Sequence, residues 1–114
     1  NPTVSMLEQR LAAIEGAEIG VATGSGKSAM FASIACLVKN GDRVVASASM
    51  FSSCYVVLTE ILPKWGVTVD LVRGNDPAKW ATALSKPTKV VFIESPSNPL
   101  MEIIDEGRIR EGFV

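Results

Sequence analysis

The sequence predicts an α/β fold, a mostly parallel sheet flanked by helices, on three observations. The apolar stretch Ile19 to Thr23 runs over Gly24-Ser25-Gly26 into the apolar segment Ala29 to Val38, the pattern of a strand that turns over glycines into a helix. The run Val90-Val91-Phe92-Ile93 is continuously apolar, as expected of a strand covered on both faces. Strand-like runs recur about every 20 to 25 residues with helical patterns between them, the period of βαβ units.

Taken in order, Thr3 is placed to cap a first helix whose Met6, Leu7, Leu11 and Ile14 form one apolar stripe, with Gly16 as its left-handed stop. A first strand is expected over about Ala17 to Thr23. The helix that follows carries apolar residues on every face, which predicts burial, and stops at Asn40-Gly41. Arg43 to Ser47 reads as a second strand, and Ser52 to Trp65 as a helix whose last turn is limited by Pro63. Val67 to Val72 is a third strand. Asp76 caps a short helix through Leu84, with Pro77 at the favoured first position, and Thr88 to Glu94 is the fourth strand.

The composition narrows the function. The 114 residues are 47% hydrophobic and 20% charged, with a net charge of −1. That balance suits a packed core and offers no basic stripe with which to neutralise nucleic-acid phosphates. The longest uncharged apolar run, Ala29 to Val38, is too short to span a bilayer, and Asn1-Pro2-Thr3 does not open a secretory signal. Cys36 and Cys54 both lie in apolar helical contexts where a thiol acts as a small buried hydrophobe; no disulfide and a reducing cytoplasmic setting are expected. Trp65, Arg73 and Trp80 read as surface packing, and Lys64, Lys79, Lys86 and Lys89 as a solvated face.

In a parallel sheet, ligands bind outside the carboxyl ends of the strands. Three segments end strands in polar or glycine-rich loops: Thr23 to Ser28, Ser47 to Ser53, and Glu94 to Pro99. If they share one crevice, free N–H groups at the helix start near Gly26 form a phosphate cradle, Phe51 supplies an aromatic face, and Glu94 and Asn98 supply polar contacts. This combination suits a planar, phosphorylated heteroaromatic ring. Each residue also has a plainer reading: Phe51 as core, Asn98 before Pro99 as a turn, Glu94 as a structural hydrogen-bond acceptor. Gly26-Lys27-Ser28 mimics the end of a nucleotide-binding P-loop, but that motif needs a glycine five positions before Gly26, where Val21 stands. A P-loop-like domain and a non-catalytic α/β interaction module are the alternatives.

Five segments carry a family resemblance: Asn1-Pro2-Thr3, Leu11 to Glu18, Val21 to Gly26, Gly41 to Ser47, and the block Glu94-Ser95-Pro96-Ser97-Asn98-Pro99-Leu100. In collinear order they resemble the Cys/Met-metabolism pyridoxal-phosphate (PLP) enzymes, nearest to the O-succinylhomoserine sulfhydrylase branch with cystathionine γ-synthase next. The resemblance implies a partial large domain of the aspartate-aminotransferase type (fold type I) over residues 1–105, followed by a divergent or truncated tail over 106–114. It implies pyridoxal 5′-phosphate as cofactor, held by backbone amides at Ser25, Gly26 and Lys27, with Phe51 stacked on its ring and Asn98 near its hydroxyl and the substrate carboxylate. Lys27 departs from the family, which usually has an apolar residue there; it either adds a charge contact to the phosphate or is an exposed lysine that touches only water.

The implied activity is γ-replacement in methionine biosynthesis and transsulfuration. An activated homoserine ester, O-succinyl or O-acetyl, loses its γ-substituent and gains a sulfur nucleophile, giving homocysteine or cystathionine, with the cofactor as electron sink. The implied assembly is a homotetramer of paired dimers. The resemblance further implies that the Schiff-base lysine and the aspartate facing the pyridine nitrogen lie beyond Val114, and that a Tyr-x-Arg pair precedes Asn1. The 114 residues are therefore expected to be an internal or truncated piece that cannot run the covalent chemistry alone.

Overall fold

A computed structural model describes residues 1–94. The chain divides into two units, Asn1–Met30 and Phe31–Val114.

The first unit is built on helix α1, Pro2–Glu15. Its cap is Asn1 rather than Thr3: the Asn1 side-chain oxygen accepts the N–H of Thr3 at 3.0 Å and of Val4 at 3.5 Å. Pro2 takes the first helical position, where a missing N–H costs nothing, and this pushes Thr3 inside the first turn. Gly16, at φ 67°, ends the helix as expected, and Ala17 N–H closes onto the Ala12 carbonyl at 2.8 Å. The stripe Met6, Leu7, Leu11 and Ile14 is exposed, and Ala12 is the buried residue of this helix.

The strand expected over Ala17 to Thr23 does not form. A strand exists only by pairing, and here Ala22 donates its N–H to the Glu8 carboxylate while Ile19 and Val21 lie exposed. Helix α2, Gly26–Ala35, follows. Its all-round apolar composition predicts burial, yet Ile34 is its one buried residue. Cys36, just past its end, is exposed rather than buried; its thiol reaches the Ser33 carbonyl at 3.4 Å, and neither Cys36 nor Cys54 is in a disulfide among the described residues.

Among the described residues, the second unit holds a three-stranded parallel sheet in the order β2-β1-β3, with β1 Arg43–Ser47, β2 Thr68–Val72 and β3 Val90–Phe92. Strand β1 matches its sequence-based bounds. It is central: Val44 pairs with Val69 on one side and Val90 on the other, and Val44, Val45 and Ala46 are fully buried. Strand β3 is shorter than the expected 88–94 and only half-buried. At the amino end of the sheet, Arg43 Nε donates to Asp70 at 2.7 Å, Arg43 Nη1 donates to Thr88 at 2.7 Å, and Arg43 and Asp70 form an ion pair. One guanidinium fork thereby ties β1 and β2 to the approach to β3.

The helix expected over Ser52 to Trp65 is present but changes winding. Helix α3, Ser52–Val56, widens into a π-turn over Val57–Ile61 and tightens into a 3₁₀ turn over Leu62–Trp65. Pro63, which cannot donate to the preceding turn, lies in that last segment, and Gly66 at φ 77° ends it. Helix α4, Pro77–Leu84, opens on Asp76, whose carboxylate accepts the Ala78 N–H at 3.0 Å.

Trp80 of α4 is not surface packing. It is 1% exposed, packs against Val45 and Val72 with Ala83, Leu84, Val91 and Ile93 around it, and donates its indole N–H to the Gly74 carbonyl at 2.9 Å. Trp65 is exposed and meets Phe31 edge-on, ring centroids 5.5 Å apart. Arg73 and the four lysines 64, 79, 86 and 89 are exposed. Among the described residues, no helix is long and apolar enough to cross a membrane.

Candidate functional site

In the first unit, the glycine stretch delivers the start of α2. Ser25 is its cap: Ser25 Oγ accepts the Ser28 N–H at 3.1 Å, and the Ser25 carbonyl accepts the Ala29 N–H at 3.0 Å. Thr23 braces the turn by donating its hydroxyl to the same carbonyl at 2.7 Å. Among the described residues, no hydrogen bond takes the N–H of Gly26 or Lys27. These two donors lie at the positive end of the helix dipole, the arrangement that accepts an anion. A Cβ added at Gly24 or Gly26 would meet nothing within 4 Å, so neither glycine is crowded on its side-chain face.

Ser28 is a further candidate that reading the sequence did not single out. Its hydroxyl is joined to Ser25 Oγ at 3.0 Å and stands one turn into the helix. The signal available in the sequence was its place one turn into the helix, beside the two free amides. Lys27 is exposed at the same end.

In the second unit, the carboxyl end of the sheet brings Phe51 and Glu94 together. Strand β1 ends at Ser47, which is fully buried and whose hydroxyl accepts the Ser49 N–H at 3.2 Å, turning the chain towards Phe51. Ala48 N–H closes onto the Val72 carbonyl at 2.8 Å. Phe51 stands immediately before α3, and its own carbonyl accepts the Tyr55 N–H at 3.1 Å. Its N–H goes to the Glu94 carboxylate at 3.0 Å, a bond across 43 positions of chain. Phe51 is 43% exposed and so not a core residue, while Glu94, past the end of β3, acts as a hydrogen-bond acceptor for the backbone at Phe51.

Ser25, Gly26 and Lys27 belong to the first unit and Phe51 and Glu94 to the second. Asn98 lies outside the described residues. The first group offers amide donors to an anion. The second offers an aromatic face whose backbone is held by a carboxylate.

Comparison with known proteins gives concordant results. The sequence pattern of the Cys/Met metabolism PLP-dependent enzymes matches residues 1–112. An O-succinylhomoserine sulfhydrylase of Mycobacterium tuberculosis is 50% identical over 97% of this chain and 27% of its own length. A homocysteine synthase of Schizosaccharomyces pombe is 37% identical over 97% of this chain and 26% of its own. Among solved structures, O-acetylhomoserine sulfhydrylase of Wolinella succinogenes superposes with a TM-score of 0.89 at 34% identity, covering 98% of this chain and 32% of that one. The chain thus spans about a quarter to a third of the proteins it matches.

Proposed function

The chain belongs to the Cys/Met metabolism PLP-dependent enzymes, whose cofactor is pyridoxal 5′-phosphate, and from that premise we propose that it supplies the cofactor-holding part of a γ-replacement enzyme. The observation that carries the reading is the start of α2: two N–H groups without a partner among the described residues, at Gly26 and Lys27, in a turn where neither Gly24 nor Gly26 is crowded on its side-chain face. A phosphate ester fits that donor set, since it brings several acceptor oxygens and negative charge to the positive end of a helix.

In this reading Gly26 and Lys27 hold the phosphate through their amides, and Ser25 keeps the turn in shape by capping the helix. The Ser28 hydroxyl adds a donor, and the Lys27 ammonium adds charge. Phe51 lies flat against the pyridine ring and sets its plane. Glu94 fixes Phe51 by holding its N–H, and Asn98 lies near the cofactor hydroxyl and the substrate carboxylate. Bound there, the cofactor supplies an electron sink for carbanionic charge on an amino-acid substrate.

The substrate proposed is an activated homoserine ester, O-succinyl or O-acetyl, with sulfide or cysteine as nucleophile and homocysteine or cystathionine as product. The large-domain assignment over residues 1–105, a divergent tail over 106–114, a homotetramer of paired dimers and a cytoplasmic setting belong to the same proposal. We also propose that these 114 residues bind the cofactor without turning over, because the lysine that the family resemblance assigns to the covalent link with it is not among them.

Titrating the isotopically labelled chain with pyridoxal 5′-phosphate and with pyridoxal, and following the Gly26 and Lys27 amides, tests the reading. The phosphorylated form should bind more tightly and move both amides. Equal affinity for the two compounds overturns it.

A further inference from the structure

We propose that the groove between α4 and β2, in the second unit, is a separate binding site for a small organic anion. It does not depend on the cofactor reading. The cavity there measures about 640 Å³, within the roughly 300 to 1,000 Å³ usual for small-molecule sites. Among the described residues, four cations line it, Arg43, Arg73, Lys79 and Lys86, against the single acid Asp70. The whole chain carries 11 basic and 12 acidic residues, so this is a local concentration of charge that the composition conceals.

Asp70 does not offset that charge, because Arg43 already neutralises it. The Arg43 guanidinium is engaged at each of its nitrogens, Nε and Nη2 by Asp70 and Nη1 by Thr88. The pair is a built corner of the groove, with the Arg43 side chain only 11% exposed. Arg73, Lys79 and Lys86 are left, and among the described residues no side chain pairs with any of them. Three cations with no partner among the described residues focus a positive potential into the one concavity, because field lines concentrate where low-dielectric walls exclude water.

The geometry also selects the body of the ligand. Ala78 and Lys79, with Thr82 and Ala83 one turn on, line one wall from a single face of α4, and Ser85 and Lys86 continue it just past the helix end. Leu71 and Val72 form the opposite wall, on a strand at the edge of the sheet. Apolar methyl and methylene surface between the walls and cations at the rim fits a molecule with a short carbon skeleton and two or more negative groups. Phosphate and carboxylate groups share that chemistry.

The test is a titration of the isotopically labelled chain with citrate and, separately, with fructose 1,6-bisphosphate at low ionic strength. Saturable shifts are expected at the amides of Arg73, Lys79, Thr82 and Lys86 with at least one of the two; citrate alone assigns the carboxylate class and fructose 1,6-bisphosphate alone the phosphate class. The double variant Lys79→Glu, Lys86→Glu should weaken that binding at least about tenfold while the response of Gly26 and Lys27 stays as in the parent chain. Should that variant lose its folded spectrum, Lys79→Gln with Lys86→Gln serves the same purpose, and Lys79→Arg with Lys86→Arg should retain binding. Absence of saturable shifts at these amides up to roughly 10 mM of either anion, or undiminished affinity in the neutral or reversed variant, overturns the proposal.

Discussion

The Glu8 carboxylate accepts the backbone N–H of Ala22 at 2.8 Å, reaching from the middle of α1 to a residue fourteen positions later. Gly20 adds to the same junction, since a Cβ there would come 2.8 Å from the Glu8 carbonyl oxygen. Helix α1 thereby holds the segment that leads into the Thr23 to Gly26 turn. Glu8→Ala should cost about 1 kcal/mol, one hydrogen bond's worth, and Glu8→Gln, which keeps an acceptor, clearly less. Gly20→Ala forces backbone apart and should cost more than either. Urea midpoints at constant m check the order, and the preference for pyridoxal phosphate over pyridoxal should fall in Glu8→Ala and Gly20→Ala but survive in Glu8→Gln. A Glu8→Gln chain as damaged as Glu8→Ala would show that charge, not the hydrogen bond, matters.

How far the sequence foretold this depends on the range of the force concerned. Strand β1 and helix α4 were legible because their signals are local: Gly41-Asp42 before an apolar run, and Asp76-Pro77 as cap and first turn. The strand expected over 17–23 was misread because apolar spacing reports β-propensity, whereas a ladder needs a partner, and Ala22 finds a carboxylate instead. The burial of Trp80 was missed for a similar reason, since it depends on Gly74 offering a carbonyl to the indole. At the site, the Ser25 cap follows from residue type beside glycine. The Phe51 to Glu94 bond joins residues 43 apart and leaves no periodic trace.

Gly41 and Gly66 face each other, Gly41 N–H donating to the Gly66 carbonyl at 2.9 Å, and both are left-handed, at φ 93° and 77°. Their surroundings differ. A Cβ at Gly41 would meet nothing within 4 Å, whereas at Gly66 it would overlap the Asn40 side chain. Gly41→Ala should therefore cost about 1 to 2 kcal/mol from backbone strain alone, and Gly66→Ala more. Replacing Asn40 by Ala in the Gly66→Ala background should return the cost towards that of Gly41→Ala. Equal urea midpoints for the two single variants would refute the overlap.

Trp80 plugs the space between α4 and the sheet while its indole satisfies Gly74, so two truncations separate volume from hydrogen bonding. Trp80→Ala should lose about 3 to 5 kcal/mol as a cavity opens. Trp80→Phe keeps most of the volume, and losing the bond to Gly74 should cost about 1 kcal/mol beyond the small packing loss. Fluorescence offers an independent check: with Trp80 replaced by Phe, emission comes from the exposed Trp65 alone and should be fully quenched by iodide. A remaining protected fraction would mean that Trp65, and not Trp80, is the shielded indole.

Lys27 is exposed beside two amides that no described residue occupies, so its contribution to an anion must be electrostatic and open to screening. At low ionic strength an ammonium within a few ångströms of a phosphate is felt strongly; at 0.1 M salt the screening length falls to about 10 Å, and exposed charges lose much of their influence. Lys27→Met should therefore weaken pyridoxal phosphate binding roughly two- to fivefold in dilute buffer and leave a smaller difference at high salt. Lys27→Arg, which preserves the charge, should behave like the parent chain. Pyridoxal lacks the phosphate, and its affinity should be the same in all three. If the Lys27→Met chain followed the parent at every salt concentration, the lysine would be touching only water, and the two backbone donors would carry the anion by themselves.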